Sequence, residues 1–186
     1  DHHAAEPQLP AAIAVINPNR LDDESGQGQL AAVGVVFLLV VALNRCLRGR
    51  NHYAEKAEPN LLQWLDLVAL GTVCDVVPLT GLNRALVSQG LKVMARRDNV
   101  GLRALSDVAS IAEAPTTYHA GFILGPRVNA GGRVGEASLG ARLLTTHDAD
   151  EARDLAIRLD DWNKERRELE AACLEEAILQ AEMGGL

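Results

Sequence analysis

The sequence predicts a mainly helical chain that contains one buried strand and ends in a long helix. Three observations support this fold class. A short apolar segment rich in β-branched residues, residues 11–16, lies near the start of the chain. Apolar residues then recur at helical spacing in several later segments. Near the end, Asp148 and Glu151 form a helix-capping signature before a long stretch without Gly or Pro.

Length and composition restrict the class of protein. The chain has 186 residues, of which 48% are hydrophobic and 23% are charged, so it is globular and long enough for one ordinary domain. Aromatic residues make up 3%, which excludes a recognition surface built mainly on aromatic stacking. Cys46, Cys74 and Cys173 lie far apart without a C-x-x-C pair. They exclude a disulfide scaffold and a zinc finger, and they predict a cytoplasmic protein.

The charge is distributed unevenly along the chain. The net charge of −7 excludes a protein that is basic throughout. Residues 148–186 carry twelve acids and five bases, whereas residues 1–147 carry thirteen of each. Between residues 80 and 135, seven bases stand against three acids. A basic surface for a polyanion and charges scattered over helix surfaces are both compatible with this local excess.

The first elements follow from apolar patterning. Residues 11–16 predict a buried strand that Asn17, Pro18 and Asn19 end. The apolar run 30–43 is shorter than the ~20 residues that a membrane span needs. We therefore interpret it as a buried core helix and expect no membrane partner. Residues 61–75 are predicted to form a helix.

The second half of the chain predicts more helices and one interruption. The helices are expected at residues 83–97, 101–109 and 137–144, and residues 116–133 are expected to contain a helix end and a loop. Asp148 is predicted to cap a helix that runs to about Met183. We interpret residues 148–186 as a connector toward a second domain and residues 1–147 as part of one domain. A coiled-coil arm is the alternative.

The single predicted strand raises a question about the rest of the sheet. One strand cannot satisfy its own backbone N–H and C=O groups. It requires either a weak strand elsewhere in the chain or a sheet outside this sequence. Because the first residue is Asp1 instead of Met, and no signal sequence follows, we expect an internal piece of a longer protein.

Three motifs carry residues suited to catalysis or binding. Asp1, His2 and His3 precede the predicted strand, and both residue types bind Mn²⁺ or Mg²⁺. A tag remnant would give the same two histidines. Asp75 lies among aliphatic residues in L-G-T-V-C-D-V-V-P-L (70–79), where an unpaired carboxylate would be costly. Such an Asp is paired, bound to a metal ion, or engaged in a local cap.

The third motif is G-P-R-V-N-A-G-G-R, residues 125–133. Arginine binds phosphate through two parallel hydrogen bonds, and glycines let backbone N–H groups approach an oxyanion. The motif therefore suggests phosphate binding, although a glycine-rich loop with arginines is only weakly specific.

Taken together and in this order, the three motifs resemble the DHH phosphoesterase superfamily. Within it they are most similar to the RecJ family of exonucleases specific for single-stranded DNA. N-P-N-R (17–20), N-R-A-L-V (83–87) and L-D-D-W-N-K-E-R-R-E-L-E (159–170) also resemble that family. The resemblance implies an α/β fold, with a parallel sheet flanked by helices. This chain would supply about one strand and most of the helices.

The resemblance also implies an activity and a set of site residues. The activity is 5′-to-3′ hydrolysis of single-stranded DNA in repair and recombination, with Mn²⁺ or Mg²⁺ in a two-metal site. His2 and Asp75 would bind metal, His3 would face the scissile phosphate, and Asp1 would orient the histidines. The residues implied to bind DNA phosphates are Arg127, Asn129, Gly131, Gly132 and Arg133. Repair proteins are implied as further partners of the intact enzyme.

The family's upstream D-x-D aspartates and its bridging aspartate have no counterpart in this sequence. We therefore expect the chain to be inactive alone. Two alternatives remain open. One is another DHH phosphoesterase, a pyrophosphatase or an oligoribonuclease, and the other is a non-catalytic binding protein with the same fold.

Overall fold

The computed structural model describes residues 1–184 and is helical. Seven α-helices form in chain order: α1 (Ala32–Gly49), α2 (Leu65–Cys74), α3 (Gly81–Met94), α4 (Val100–Val108), α5 (Gly125–Val134), α6 (Ser138–Thr145) and α7 (Ala149–Met183). A 3₁₀ turn, Leu61–Trp64, leads into α2, and a π-helix, His119–Leu124, leads into α5. Six of the seven α-helices overlap a predicted helix, with ends that differ by up to six residues.

The predicted buried strand is wrong for this chain, since residues 1–184 contain no strand. Residues 11–16 are irregular, and Ile13 and Ile16 are exposed. The physical reason is the missing partner: no other described segment is extended beside these residues, so their backbone groups have no sheet to join.

The helices divide between two compact units. Unit 1 comprises Asp1–Arg96 and Pro115–Gly121, and unit 2 comprises Arg97–Ala114 and the described residues from Phe122 onward. In unit 1, α2 packs along α3 and against α1. The core of unit 1 is aliphatic except for one phenylalanine, as the composition predicts; it contains Leu30, Val35, Phe37, Leu65, Val68, Leu86 and Val93.

Helix α1 is less buried than predicted. It buries Gly34, Val35, Phe37 and Asn44, whereas most of its other apolar residues are exposed. The expectation of a fully buried helix is therefore wrong. Over Ala32–Gly49 the helix is also long and apolar enough, by length and composition, to cross a membrane. The helix also packs on α2 and contributes to the core of unit 1. The expected absence of a membrane partner stays a prediction.

In unit 2, the first half of α7 packs against α4, α5 and α6. Asp148 caps α7 as predicted, because its carboxylate accepts hydrogen bonds from the backbone N–H groups of Asp150 and Glu151. The Glu151 carboxylate instead accepts hydrogen bonds from Arg142 and Thr146. Beyond Arg166, the described residues of α7 are exposed.

The segment expected to contain a loop, residues 116–133, is helical from Thr117 onward. The π-helix continues directly into α5, so the whole G-P-R-V-N-A-G-G-R motif is α-helical. Pro126 lies at the junction where the π-helix passes into α5, and the helical segment continues through it. The expectation of a glycine loop is therefore wrong.

Candidate functional site

The structure brings His2 and Asp75 together in unit 1. The Nε2 atom of His2 lies 3.1 Å from the Oδ2 atom of Asp75, although the two residues are 73 positions apart in the sequence. The His2 side chain is 14% exposed and that of Asp75 is 33% exposed. Asp75 lies at the C-terminal end of α2, where Val76 adopts a positive φ of 60° and turns the chain away from the helix axis.

Asp1 and His3 form a second pair beside the first. The Nδ1 atom of His3 lies 2.7 Å from an Asp1 carboxylate oxygen, which also accepts the backbone N–H groups of His2 and His3. The rings of His2 and His3 are 4.3 Å apart between centroids. The His3 side chain is 77% exposed. The Asp1 carboxylate thus holds the His3 ring through Nδ1 and leaves its Nε2 atom for solvent or a ligand.

Two asparagines hold the backbone that carries the histidines. Asn17 Nδ2 donates to the His3 carbonyl at 2.9 Å, and Asn19 Nδ2 donates to the His2 carbonyl at 2.7 Å. Asn19 also donates to the Gly28 carbonyl at 2.8 Å. A Cβ atom on Gly28 would lie 2.4 Å from the Asn19 side chain, so glycine is needed there for this close approach. The N-P-N-R motif therefore fixes the position of His2 and His3.

Asn83 performs the same task on the Asp75 side of the site. It is fully buried at the start of α3, and its Nδ2 atom donates to the carbonyls of Gln29 and Pro78. Pro78 lies three residues after Asp75, so Asn83 fixes the turn that follows this carboxylate. Sequence reasoning assigned no role to Asn83. Its periodicity with Leu86 and Gly90 would have predicted a buried amide that needs hydrogen-bond partners.

The metal-binding capacity of the described chain is limited. His2 and Asp75 supply one imidazole nitrogen and one carboxylate, which are suitable ligands for Mn²⁺. No group of three His, Cys, Asp or Glu residues suited to a metal ion exists within residues 1–184. The neighbouring Cys74 thiol adds no thiolate at neutral pH, because burial, followed by the charge of Asp75, raises its pKa. The pair thus supplies two metal ligands, and the described residues provide no third beside them.

In unit 2, Arg127 is anchored to α7. Its Nε atom donates to Asp160 at 2.8 Å, and its Nη1 atom donates to the Ile123 carbonyl. Burial raises the pKa of Asp160, but hydrogen bonds and charges from Lys164 and Arg127 outweigh burial and leave the pKa below its ordinary value. These two hydrogen bonds leave the Nη2 atom of Arg127 for contact with a phosphate.

The other predicted phosphate-binding residues divide between two faces of α5. Asn129, Gly132 and Arg133 are exposed and share one face, because residues three and four apart are neighbours on a helix. Gly131 is buried, and a Cβ atom there would lie 2.5 Å from the Glu136 carbonyl. The expected cradle of free backbone N–H groups is absent from this part of the described chain, since N–H groups inside a helix bond to carbonyls four residues earlier.

Comparison with known proteins gives a consistent class. The chain is similar to exonucleases specific for single-stranded DNA. The proteins it matches are named RecJ. It is 48% identical over 182 residues to the enzyme of Dickeya dadantii and 45% identical over 186 residues to that of Escherichia coli. These alignments cover 96% and 98% of the chain, so the resemblance drawn from the motifs is confirmed. No family model matches the chain.

Solved structures agree with this similarity and support the α/β architecture that the resemblance implies for the family. A crystal structure of exonuclease RecJ bound to manganese matches 97% of the chain with a TM-score of 0.79 and 36% identity. The Mn²⁺ complex of RecJ from Thermus thermophilus matches 80% of the chain with a TM-score of 0.67 and 39% identity. These matches cover 43% and 21% of the two solved chains. This chain likewise spans about a third of the length of the curated relatives, 32% for each of the two enzymes compared above.

Proposed function

We propose that this chain is part of a metal-dependent exonuclease that hydrolyses single-stranded DNA from the 5′ end. The observation that carries the proposal is the 3.1 Å approach of His2 to Asp75, two ligand types suited to Mn²⁺ or Mg²⁺. The similarity to RecJ enzymes supports the same activity. DNA repair and recombination in the cytoplasm, with repair proteins as partners, form part of this proposal.

His2 and Asp75 would hold a divalent ion, and residues outside the described chain would complete a two-metal site. When bound, the ions supply a hydroxide nucleophile and stabilise the negative charge of phosphoryl transfer. Asn17 and Asn19 hold the backbone of His2 and His3, while Asn83 holds the turn after Asp75. These three amides keep the ligand atoms in position before DNA arrives, which is the role of outer hydrogen bonds in metal sites.

The remaining residues act on the substrate. Asp1 holds His3 through Nδ1, so the Nε2 atom of His3 can meet an oxygen of the scissile phosphate. The exposed face of α5, with Asn129, Gly132 and Arg133, contacts DNA phosphates without reading the bases. Arg127 contributes Nη2 to a phosphate and uses its other nitrogens to fix α5 on α7.

A chimeric enzyme tests the proposal. This chain replaces the matching segment of the 45% identical Escherichia coli RecJ, and Mn²⁺-dependent release of nucleotides from labelled single-stranded DNA is measured. We expect the chimera to be active. Asp75→Ala and His2→Ala are each expected to lower the hydrolysis rate by at least about 100-fold, because losing a metal ligand has a larger effect than losing a residue that hydrogen-bonds to a ligand. Asn19→Ala is expected to cost about 10-fold.

Asp98→Ala is the matched control, since Asp98 is an exposed carboxylate outside the site and its loss should leave the rate unchanged. Labels at the 5′ and 3′ ends report the polarity. An Asp75→Ala chimera that is as active as the Asp98→Ala chimera would contradict the metal role. Faster hydrolysis of pyrophosphate or a dinucleotide than of a long strand would favour the alternative phosphoesterases.

The isolated 186-residue chain is expected to release no nucleotides from 5′-labelled single-stranded DNA in Mn²⁺. The reason is the ligand count: within residues 1–184, His2 and Asp75 form a pair, and no third suitable ligand joins them. Two ions cannot be held by two side chains. Metal-dependent release by the purified chain, abolished by Asp75→Ala, would show that it completes a site without further sequence.

A further inference from the structure

Helix α3 exposes a row of positive charge. Arg84 and Lys92 on the helix and Arg96 in the turn that ends it are all exposed, and the sequence spacing between them is a multiple of four. We name these three residues the α3 basic stripe. Ser88, also exposed, fills the gap between Arg84 and Lys92. The opposite face of α3 is buried, and the helix contains no Asp or Glu.

The charge of the α3 basic stripe is not neutralised within the part of the chain that the structure describes. Arg20, Arg48 and Arg142 each pair with a carboxylate. Among residues 1–184, by contrast, no ion pair involves a member of the stripe, and only Lys92 makes a side-chain hydrogen bond, to Gln89 at 3.5 Å. An exposed row of unpaired cations attracts a polyanion.

The arrangement of the α3 basic stripe suits a phosphate chain better than a compact anion. Residues four apart on a helix are surface neighbours and rise about 6 Å along its axis. Arg84 and Lys92 are therefore about 12 Å apart along the axis of α3, and Arg96 follows in the turn after the helix. No aromatic side chain lies on α3, so the surface offers contacts to a backbone and no platform for stacking bases.

The α3 basic stripe begins nine residues after Asp75 in the chain, and both belong to unit 1. Asn83, the residue before Arg84, donates to the carbonyl of Pro78, three residues after Asp75. Arg84 is thus the end of the stripe closest in the chain to this turn, and Arg96 is the far end.

We propose that the α3 basic stripe binds successive phosphates of single-stranded DNA beyond the scissile bond. This inference rests on the proposed function for its ligand, and it adds a binding surface separate from both α5 and the His2–Asp75 pair. The contacts are to phosphates, so they carry no base sequence.

Binding of labelled oligothymidylate to the 186-residue chain, measured by fluorescence anisotropy in EDTA at several salt concentrations, tests the inference. For single strands, each phosphate contact contributes about 0.7 to the slope of log K against log salt. The triple variant Arg84→Gln/Lys92→Gln/Arg96→Gln is expected to reduce that slope by about 2. Arg84→Lys/Arg96→Lys keeps the charges and is expected to keep the wild-type slope.

Arg45→Gln/Arg50→Gln/Lys56→Gln is the matched control, because it removes three exposed charges from another part of unit 1. Its slope should equal that of the wild type. Equal losses in both triple variants, an unchanged slope in the stripe variant, or no binding by the wild-type chain would each overturn the inference. Circular dichroism checks folding, and the three single variants, each expected to lose about 0.7, replace a triple variant that unfolds.

The outcome is separable from that of the proposed function. EDTA prevents metal-dependent hydrolysis, so the salt slope reports phosphate contacts alone. If the chimera is inactive but the stripe variant still loses salt slope, the proposed nuclease activity is contradicted and the binding surface is supported. If the chimera is active but the stripe variant keeps the wild-type slope, the binding surface is contradicted and the proposed activity is supported.

Discussion

Gly90→Ala is expected to lower the free energy of unfolding of unit 1 by about 3 kcal/mol or more. A Cβ atom at residue 90 would lie 2.0 Å from the Leu65 carbonyl oxygen and 2.5 Å from the Ala69 Cβ atom. A backbone oxygen cannot rotate away, so α2 and α3 would have to separate. Since α2 ends at Cys74, the displacement would also move Asp75 away from His2.

Urea unfolding followed by Trp64 fluorescence in a Trp162→Phe background measures this change, because Trp64 lies in unit 1 and Trp162 in unit 2. Gly132→Ala, followed by Trp162 fluorescence in a Trp64→Phe background because Gly132 lies in unit 2, is the control. It lies inside α5, and a Cβ atom there would meet nothing within 4 Å. Alanine is expected to stabilise this helix by about 0.5–1 kcal/mol. If both substitutions behave alike, close packing of α2 on α3 is not the reason for glycine at residue 90.

The helices could be predicted because their periodicity and end signals are local. The predicted segments 83–97 and 101–109 correspond to α3 and α4, and Asp148 caps α7 as its sequence signature requires. The local sequence of residues 11–16 could not decide whether a strand forms there. Apolar, β-branched sequence favours an extended chain, but a strand forms only when a neighbour completes its hydrogen bonds.

Helix α5 shows the opposite failure. Pro126, Gly131 and Gly132 indicated a loop, yet each has a place in a helix. Pro126 lies in the first turn, and Gly131 allows the Glu136 carbonyl to approach. Whether a glycine breaks a helix or lets two segments meet depends on tertiary contacts, which the sequence of the helix alone does not contain.

The candidate site is likewise divided between local and distant information. Residue types identified Asp1, His2, His3 and Asp75 as candidates, but nothing in a separation of 73 residues predicts the 3.1 Å contact of His2 with Asp75. That proximity was expected only from resemblance. Asn17, Asn19 and Asn83 lie within motifs that resemble the family, but the role of their amides could not be predicted, since their partners are backbone carbonyls whose positions only the fold defines.

Asp160→Asn is expected to destabilise unit 2 by about 2–3 kcal/mol at pH 7. The Asp160 side chain is 9% exposed and that of Arg127 is 18% exposed, so the substitution leaves a nearly buried guanidinium without its counter-charge. Breaking a buried pair from one side costs several kcal/mol. The expected value is lower because the Lys164 side chain, the other partner of Asp160, is 61% exposed and remains solvated.

The pH dependence follows from the direction of the pKa. The Asp160 pKa is lower in the folded chain than its ordinary value of 3.8. The stability that the ionised Asp160 contributes is therefore fully present above about pH 5 and is lost as the pH falls through the folded pKa. The difference between wild type and Asp160→Asn should stay constant from pH 7 to pH 5 and shrink below pH 4.

Urea unfolding followed by Trp162 fluorescence in a Trp64→Phe background gives this difference. Asp161→Asn removes the neighbouring carboxylate, which is 63% exposed and, within residues 1–184, pairs with Lys164 alone, so little change is expected. The same variants separate two roles of Arg127. If its main task is to fix α5 on α7, Asp160→Asn and Arg127→Gln should weaken DNA binding equally through Asn129 and Arg133. A loss confined to Arg127→Gln would instead assign the guanidinium to direct phosphate contact.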